Sequence, residues 1–509
     1  MKMFSTGKML MAVSLFLVAA SSSFAGIQRF PIAADPSKNE MAMSADFDGT
    51  NYLVPVMSDF MVMDADFGFG TLEVQFVSQQ GTLVGAPVPV ASSAYGILDA
   101  GVAYGGGKYL LIWEDGILCG QGTISATINA VFVTPDGTVG TPFTIAYGHS
   151  IWNPDQQKCE STVDVPGVLY AGGKFFVLYE DDPENGQPYI TCVPVGTDGS
   201  VGAAFTVSQS LGRFHMAQEQ IASGGSSFLV VYNKDDDYDT KVLGRLVDAE
   251  SGPVGPEMTI DGSSYPSDNP SSVIFDGEKY CVVWTDEVSG PTGDPEVWHF
   301  YGNFVSTSGS VSAKFPVSVA SGFKLAPFIS HDGEKYLVTW TDGRNCSSAG
   351  CSGTGMDIYG QIVKPDGSLD GPEFAVSAES GNELGGFTGQ FVSGKAFGLI
   401  NTNLQLPDFR TDDVYGAFWN SEITPPAISS VQKRTAPFRL RIYGSNFHPD
   451  AKVYIGGDPN PWPTVKYGNA TMLTLMKGAS LKARFPAGVP VEIKVVNGDG
   501  GTATATYTR

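Results

Sequence analysis

Seven segments of this chain are versions of one another, and that repetition constrains the fold more than any other feature. They read GTNYLVPV, GGKYLLIW, GGKFFVLY, GSSFLVVY, GEKYCVVW, GEKYLVTW and SGKAFGLI. Their fourth residues are Tyr52, Tyr109, Phe175, Phe228, Tyr280, Tyr336 and Ala396, spaced by 57, 66, 53, 52, 56 and 60 residues. A period of this length marks a stacked or circular array of one supersecondary unit, with the irregularity absorbed by loops.

Each unit holds four strand signals. In the sixth, Pro327–Ser330 leads through an Asp-Gly turn to Lys335–Thr341, a β-branched and aromatic run. A longer loop leads to Asp357–Val363, and Pro-Asp-Gly-Ser then turns into Glu373–Ser377. The third and fourth strands recur in six complete pairs, such as GNFVSTSGSVSAKFPVS and GQIVKPDGSLDGPEFAVS. The seventh unit stops at Asp413–Trp419, while Arg29-Phe30-Pro31-Ile32-Ala33 matches the missing fourth strand. A ring closed by its own N-terminal strand accounts for both facts and removes the open edge. The expected fold over residues 26–420 is therefore all-β, and it resembles a seven-bladed β-propeller of the bacterial secreted or surface type.

Tight Asp-Gly turns fall on one face of such a ring. Long irregular loops fall on the other, and loops of that kind make the expected ligand face. Its candidate binding residues are Trp152, Tyr265 and Trp298, which could stack on sugar rings or grip a peptide; the alternative is that they cap the blade beneath them. The expected partner is a protein or a carbohydrate.

Lys2 and Lys8 precede an apolar run, Met9 to Ala20, and Ser23-Phe24-Ala25 offers a cleavage site. Residues 1–25 read as a signal peptide, the run being shorter than the roughly 20 residues that span a bilayer; a retained anchor is the alternative. No later segment is apolar enough to span, so secretion or a periplasmic or surface location is expected. Export permits disulfides. Cys346 and Cys351 are expected to close a small loop, with half of a zinc site as the alternative, and Cys119 is expected to pair with Cys159 across adjacent blades. Cys192 and Cys281 lie inside strands and read as buried thiols.

Charge divides the chain. Acids outnumber Lys and Arg by 49 to 17 from Gly26 to Glu422, whereas Lys and Arg lead by 11 to 4 from Thr424 onward. The acidic body argues against nucleic acid and anionic membrane as partners. The shift sets a linker at residues 421–426, where Ile423-Thr424-Pro425-Pro426 breaks the period. Short alternating strands follow. Pro426 and Ile428, Leu440-Arg441-Ile442-Tyr443-Gly444-Ser445-Asn446-Phe447, Val453-Tyr454-Ile455-Gly456-Gly457 and Val495-Val496-Asn497-Gly498-Asp499-Gly500-Gly501 are similar to an IPT/TIG domain. That resemblance implies an Ig-like β-sandwich over residues 427–509, acting as an adhesive, spacing or attachment module.

Catalytic signals are sparse. The five His are scattered without metal-ligand spacing, and no G-x-S-x-G elbow is present. An aromatic, one residue and then an acid recur as Trp113/Asp115, Tyr179/Asp181, Trp284/Asp286 and Trp340/Asp342. These acids could ring the loop face and hold Ca2+, or each could cap the backbone of its own loop. The acidic loops Asn233–Asp239 and Glu180–Glu184 offer oxygen ligands without an EF-hand pattern. No cofactor is required by any motif. The expectation is an exported binding or scaffold protein without catalysis; the alternative is a secreted polysaccharide hydrolase or lyase with acids at the channel mouth, which two carboxylates about 5–9 Å apart in a deep axial pocket would favour.

Overall fold

A computed structural model describes residues 27–509, apart from 64–65, 121, 155–157, 183–187, 215–216, 235–240, 262–270, 289–296, 321, 347–354, 379–380, 404–410, 421–425, 435–436, 448–450, 459, 470 and 498–501. Strands make up 66% of the described residues and helix 1%, so the fold is all-β. Among the described residues the α-helix is confined to Gly478–Ala483. None is long and apolar enough to cross a membrane.

The repeats build antiparallel sheets in chain order. Val163–Ala171, Lys174–Asp181, Tyr189–Val195 and Phe205–Thr206 form one four-stranded sheet, and Ser271–Phe275, Lys279–Val288, Val297–Ser306 and Phe315–Ser318 form another. The first two repeats share the 23-residue strand Leu83–Gly105, which leaves one sheet and enters the next without a break. The last two join through a parallel contact, Ser330 beside Gly389. Strand Ile27–Ala33 pairs antiparallel with Val414–Asn420, Ile27 opposite Trp419. Arg29 fixes this pairing by reaching Glu383 at 2.7 Å and lying 4.1 Å over the ring of Tyr415.

The repeated aromatic explains itself in this packing. Tyr109, Phe175, Phe228, Tyr280 and Tyr336 are each fully buried. The Tyr109 hydroxyl donates to the Asn51 carbonyl, and the Tyr336 hydroxyl to Asp276, so each anchors its sheet to a turn of the preceding repeat. Those turns are held by their own aspartates: Asp276 accepts the N–H groups of Glu278 and Lys279, with Gly277 at φ 101°, a backbone state that L side chains rarely adopt. Apolar cores fill the spaces between successive sheets. One core, with Ile32, Tyr52, Phe397 and Phe418, sets the last repeat against the first.

The residue five places after the aromatic has a second repeated task. Asn401 bonds both the N–H and the carbonyl of Ala42, Thr341 accepts from Gly385, and Glu180 accepts from Phe214. Each ties its sheet to the backbone of another repeat.

C-terminal to residue 425, Ala427–Arg434, Arg439–Ser445, Met472–Leu475 and Val465–Asn469 form a four-stranded sheet. Lys452–Ile455, Pro490–Val496 and Thr502–Thr508 form a three-stranded one. One core joins both, with Leu440, Ile442, Phe447, Val453, Leu473, Phe485, Ile493 and Val495 buried in it. The short helix and the edge strands Ala427–Arg434 and Val465–Asn469 carry polar residues that mask alternation in the sequence.

Candidate functional site: three carboxylates between adjacent sheets

Glu114 occupies the tying position of its repeat, five residues after Tyr109. It is fully buried. Where its counterparts meet a backbone N–H, it meets two other carboxyl groups. Asp99 stands on the strand that pairs with its own, at an irregularity between Leu98 and Gly101 that puts its φ at 47°. Asp164 enters from the next sheet, beside the irregularity between Asp164 and Gly167. One oxygen from each of the three lies within 4.8 Å of the others.

Neither Glu114 oxygen has a hydrogen-bond partner of ordinary geometry, although Asp164 and Ser161 stand close enough to influence it. Burial first, then the charge of Asp164, pushes the Glu114 carboxyl well above the usual range. Burial, with Asp164 again second, raises Asp99 to about 7. Asp164 accepts the Val165 N–H at 2.8 Å. Crowding of this kind keeps protons on some carboxyls of a set near neutral pH, which is how acid and base roles are divided in one site. Three hard oxygens this close also form a donor set that can take a divalent cation such as Ca2+.

The Cys119–Cys159 disulfide flanks the cluster, with Cα atoms 5.8 Å apart. Cys119 lies five residues beyond Glu114 and Cys159 five before Asp164, so the bond links the segment that follows Glu114 to the one that precedes Asp164. Cys346 is also disulfide-bonded, and Cys351 lies outside the described residues. Cys192 and Cys281 are buried free thiols.

The residues singled out from sequence are not gathered here. Trp152 is half-buried, paired with Cys159 across a short hairpin, with its N–H donated to the Gly122 carbonyl. Trp298 packs on Phe323 at 4.8 Å, its indole N–H is buried without a partner, and its carbonyl accepts from Lys324 at 2.7 Å. Tyr265 lies outside the described residues, as do most of the two acidic loops. The aromatic–acid motif spreads over separate sheets, where each acid has local partners: Asp115 accepts from Ser93 at 2.5 Å, while Asp342 accepts from Trp340 and pairs with Arg344.

Sequence reasoning passed over all three carboxylates. One signal was available. Only the second and third repeats put Glu between the aromatic and the acid, as Trp113-Glu114-Asp115 and Tyr179-Glu180-Asp181.

No family model matches the chain, and no curated protein matches it in sequence. Solved structures do. The alpha-L-arabinofuranosidase of Fusarium graminearum in complex with arabinobiose matches at 14% identity and TM-score 0.41, covering 68% of this chain and 98% of that one. A subtype N10 neuraminidase-like protein of little yellow-shouldered bat origin matches at 10% and 0.38, covering 64% and 94%. An alpha-L-arabinofuranosidase from Clostridium thermocellum matches at 16% and 0.31, covering 55% and 93%. The chain thus bears a distant and partial resemblance to carbohydrate-active enzymes of the β-propeller fold. No residue or substrate carries over at this distance.

The expectation of a binding or scaffold protein without catalysis is corrected at this point. The structures that resemble the chain are named for glycosidases and a neuraminidase-like protein. No pair of carboxylates stands out in the sequence; the structure gathers Asp99, Glu114 and Asp164, their oxygens within 4.8 Å of one another and so closer than the pair about 5–9 Å apart expected of an enzyme. They escaped notice because Asp99 and Asp164 are 65 residues apart and meet only once adjacent sheets pack.

Proposed function

We propose that the chain is an exported polysaccharide hydrolase or lyase whose reacting groups are Asp99 and Asp164. The carboxylate cluster carries this reading: three acids within 4.8 Å, two of them pushed toward the protonated form. Asp99 serves as the acid that protonates the leaving oxygen. Asp164 serves as the carboxylate that attacks the anomeric carbon of a glycoside or, in a lyase, takes a proton from the sugar ring. Glu114 is sealed from solvent and positions the other two. The separation is nearer the roughly 5–5.5 Å of retaining glycosidases than the roughly 6.5–9.5 Å that leaves room for an inverting water.

The surrounding architecture is read as a seven-bladed propeller over residues 26–420, closed by Ile27–Ala33, then a linker at 421–426 and an IPT/TIG-like Ig sandwich over 427–509. The pairing of Ile27–Ala33 with Val414–Asn420 supports the closure, and the core between last and first repeats supports the ring. Residues 1–25 are read as a cleaved signal peptide, which puts the substrate outside the cytoplasm.

The direct test is incubation with a panel of plant and bacterial polysaccharides, scoring new reducing ends and unsaturated products. Wild type should cleave at least one member, and D99N and D164N should lose about 10²–10⁴-fold. Cleavage that survives both substitutions would sink the assignment.

A second reading is favoured by one observation, the two unpartnered oxygens of Glu114. Here the same residues hold Ca2+ and stiffen the junction between sheets. Added Ca2+ would then raise the melting temperature of wild type and leave E114Q unmoved; under the acid–base reading neither protein responds.

A further inference from the structure

The C-terminal strands carry a second concavity, separate from the carboxylates, of about 210 Å3. Trp462, between Pro461 and Pro463, lines it together with Ile455, Asp458, Asn460 and Arg484. Trp462 is locked in place. Its backbone N–H donates to the Val453 carbonyl at 2.6 Å and its indole N–H to the Met476 carbonyl at 3.0 Å. Both N–H groups of the residue are therefore used within the domain, and the residue, only partly buried, lines the concavity. A rigid aromatic whose donors are already satisfied offers an apolar face at little entropic cost.

The polar groups beside it have the opposite property. Arg484 pairs with Asp458, and Asp458 also accepts the Asn460 N–H at 2.9 Å. The Arg484 side chain is 42% exposed and that of Asp458 25%, so a guanidinium fork and a carboxylate present further donors and acceptors side by side. An apolar platform edged by planar, paired polar groups matches one kind of ligand: a sugar ring, with C–H bonds on one face and neighbouring hydroxyls at its edge. A phosphate would find Arg484 already neutralised by Asp458. The cavity is smaller than the roughly 300–1,000 Å3 of pockets that enclose drug-sized ligands, which suits one ring of a longer chain. We propose that the Trp462–Arg484 concavity is a saccharide-binding site, holding one sugar unit of a polysaccharide while the chemistry takes place elsewhere in the protein.

The test uses the full chain in native affinity electrophoresis, with soluble xylan, β-glucan, arabinan or polygalacturonate in the gel. Wild type should be retarded by at least one polymer. W462A and R484A should weaken that retardation at least tenfold, and D164N should retain it, because the two sites are separate. Trp462 is packed against the core, so W462A can disturb the fold; R484A alters an exposed side chain and decides the matter alone. Retardation unchanged in R484A overturns the proposal, as does a wild type that no polymer retards. Binding of poly-L-proline at Trp462 in place of every polysaccharide also overturns it. Loss of cleavage in D164N with retardation intact would separate this site from the catalytic reading, and failure of either leaves the other standing.

Discussion

Glu114 and Glu180 hold the same position in adjacent repeats and have opposite fates. Both are buried, at 0% and 4% exposure. Glu180 accepts the Phe214 N–H and pairs with Arg213 at 3.4 Å. Glu114 has no such partner and faces Asp99 and Asp164. A third site shows how this fold neutralises acids when they are only structural. Asp342 is fully buried, with Arg344 and the Trp340 indole on its oxygens, while Glu373 takes a second Arg344 bond at 2.6 Å. Burying a carboxyl without hydrogen-bond partners costs free energy even when it holds its proton. A chain that supplies partners at Glu180 and Asp342 and withholds them at Glu114 is maintaining a costly feature at one place, and such features gather where chemistry is done.

Substitutions can break this contrast, beginning with the largest effect. Removing the disulfide with C119S/C159S should cost about 2–4 kcal/mol and lower activity further by loosening the segment that precedes Asp164; urea denaturation with and without reductant measures the first part. Next, E180A should destabilise by about 1–3 kcal/mol, because the Phe214 N–H is left buried and unpaired. E114Q should go the other way. Glu114 and Asp99 bind protons more tightly in the fold than in the unfolded chain, so stability is highest in acid. It falls as pH rises from about 4, where unfolded carboxyls ionise, through about 7, where Asp99 ionises in place. Melting temperatures from pH 5 to 8 should therefore decline in wild type and decline less in E114Q and D99N. Above pH 7, E114Q should be more stable than wild type. A steeper decline in E114Q would contradict the assignment of protons to this cluster. The smallest effect belongs to the exposed Lys335–Asp370 pair, 2.7 Å apart, where K335A should change stability by about 0–1 kcal/mol.

The strands were legible because they obey local rules. Asp-Gly turns, β-branched runs and the buried aromatic recur in every copy or nearly so, and the pairing of Ile27–Ala33 could be anticipated from a missing fourth strand. The carboxylates were not legible, for a physical reason. A repeat makes its shared residues conspicuous, and those are the ones that build the frame. Asp99 and Asp164 fall at non-equivalent positions of two repeats and share no spacing signature; only sheet packing brings them together. Trp152 and Trp298 attracted notice as large residues in polar loops. Trp298 turns its bulk inward onto Phe323, which loop polarity does not reveal.

The central claim is that the Asp99–Glu114–Asp164 cluster acts on a glycan while carboxylates with partners of their own, such as Glu180, support the fold. It is tested most directly by measuring cleavage of the polysaccharide panel with wild type, D164N and E180Q, each corrected for its folded fraction. The account predicts that D164N loses at least about 10²-fold while E180Q, though less stable, keeps its activity per folded molecule. Equal activity in D164N and wild type, or no cleavage of any polysaccharide by wild type, would contradict it.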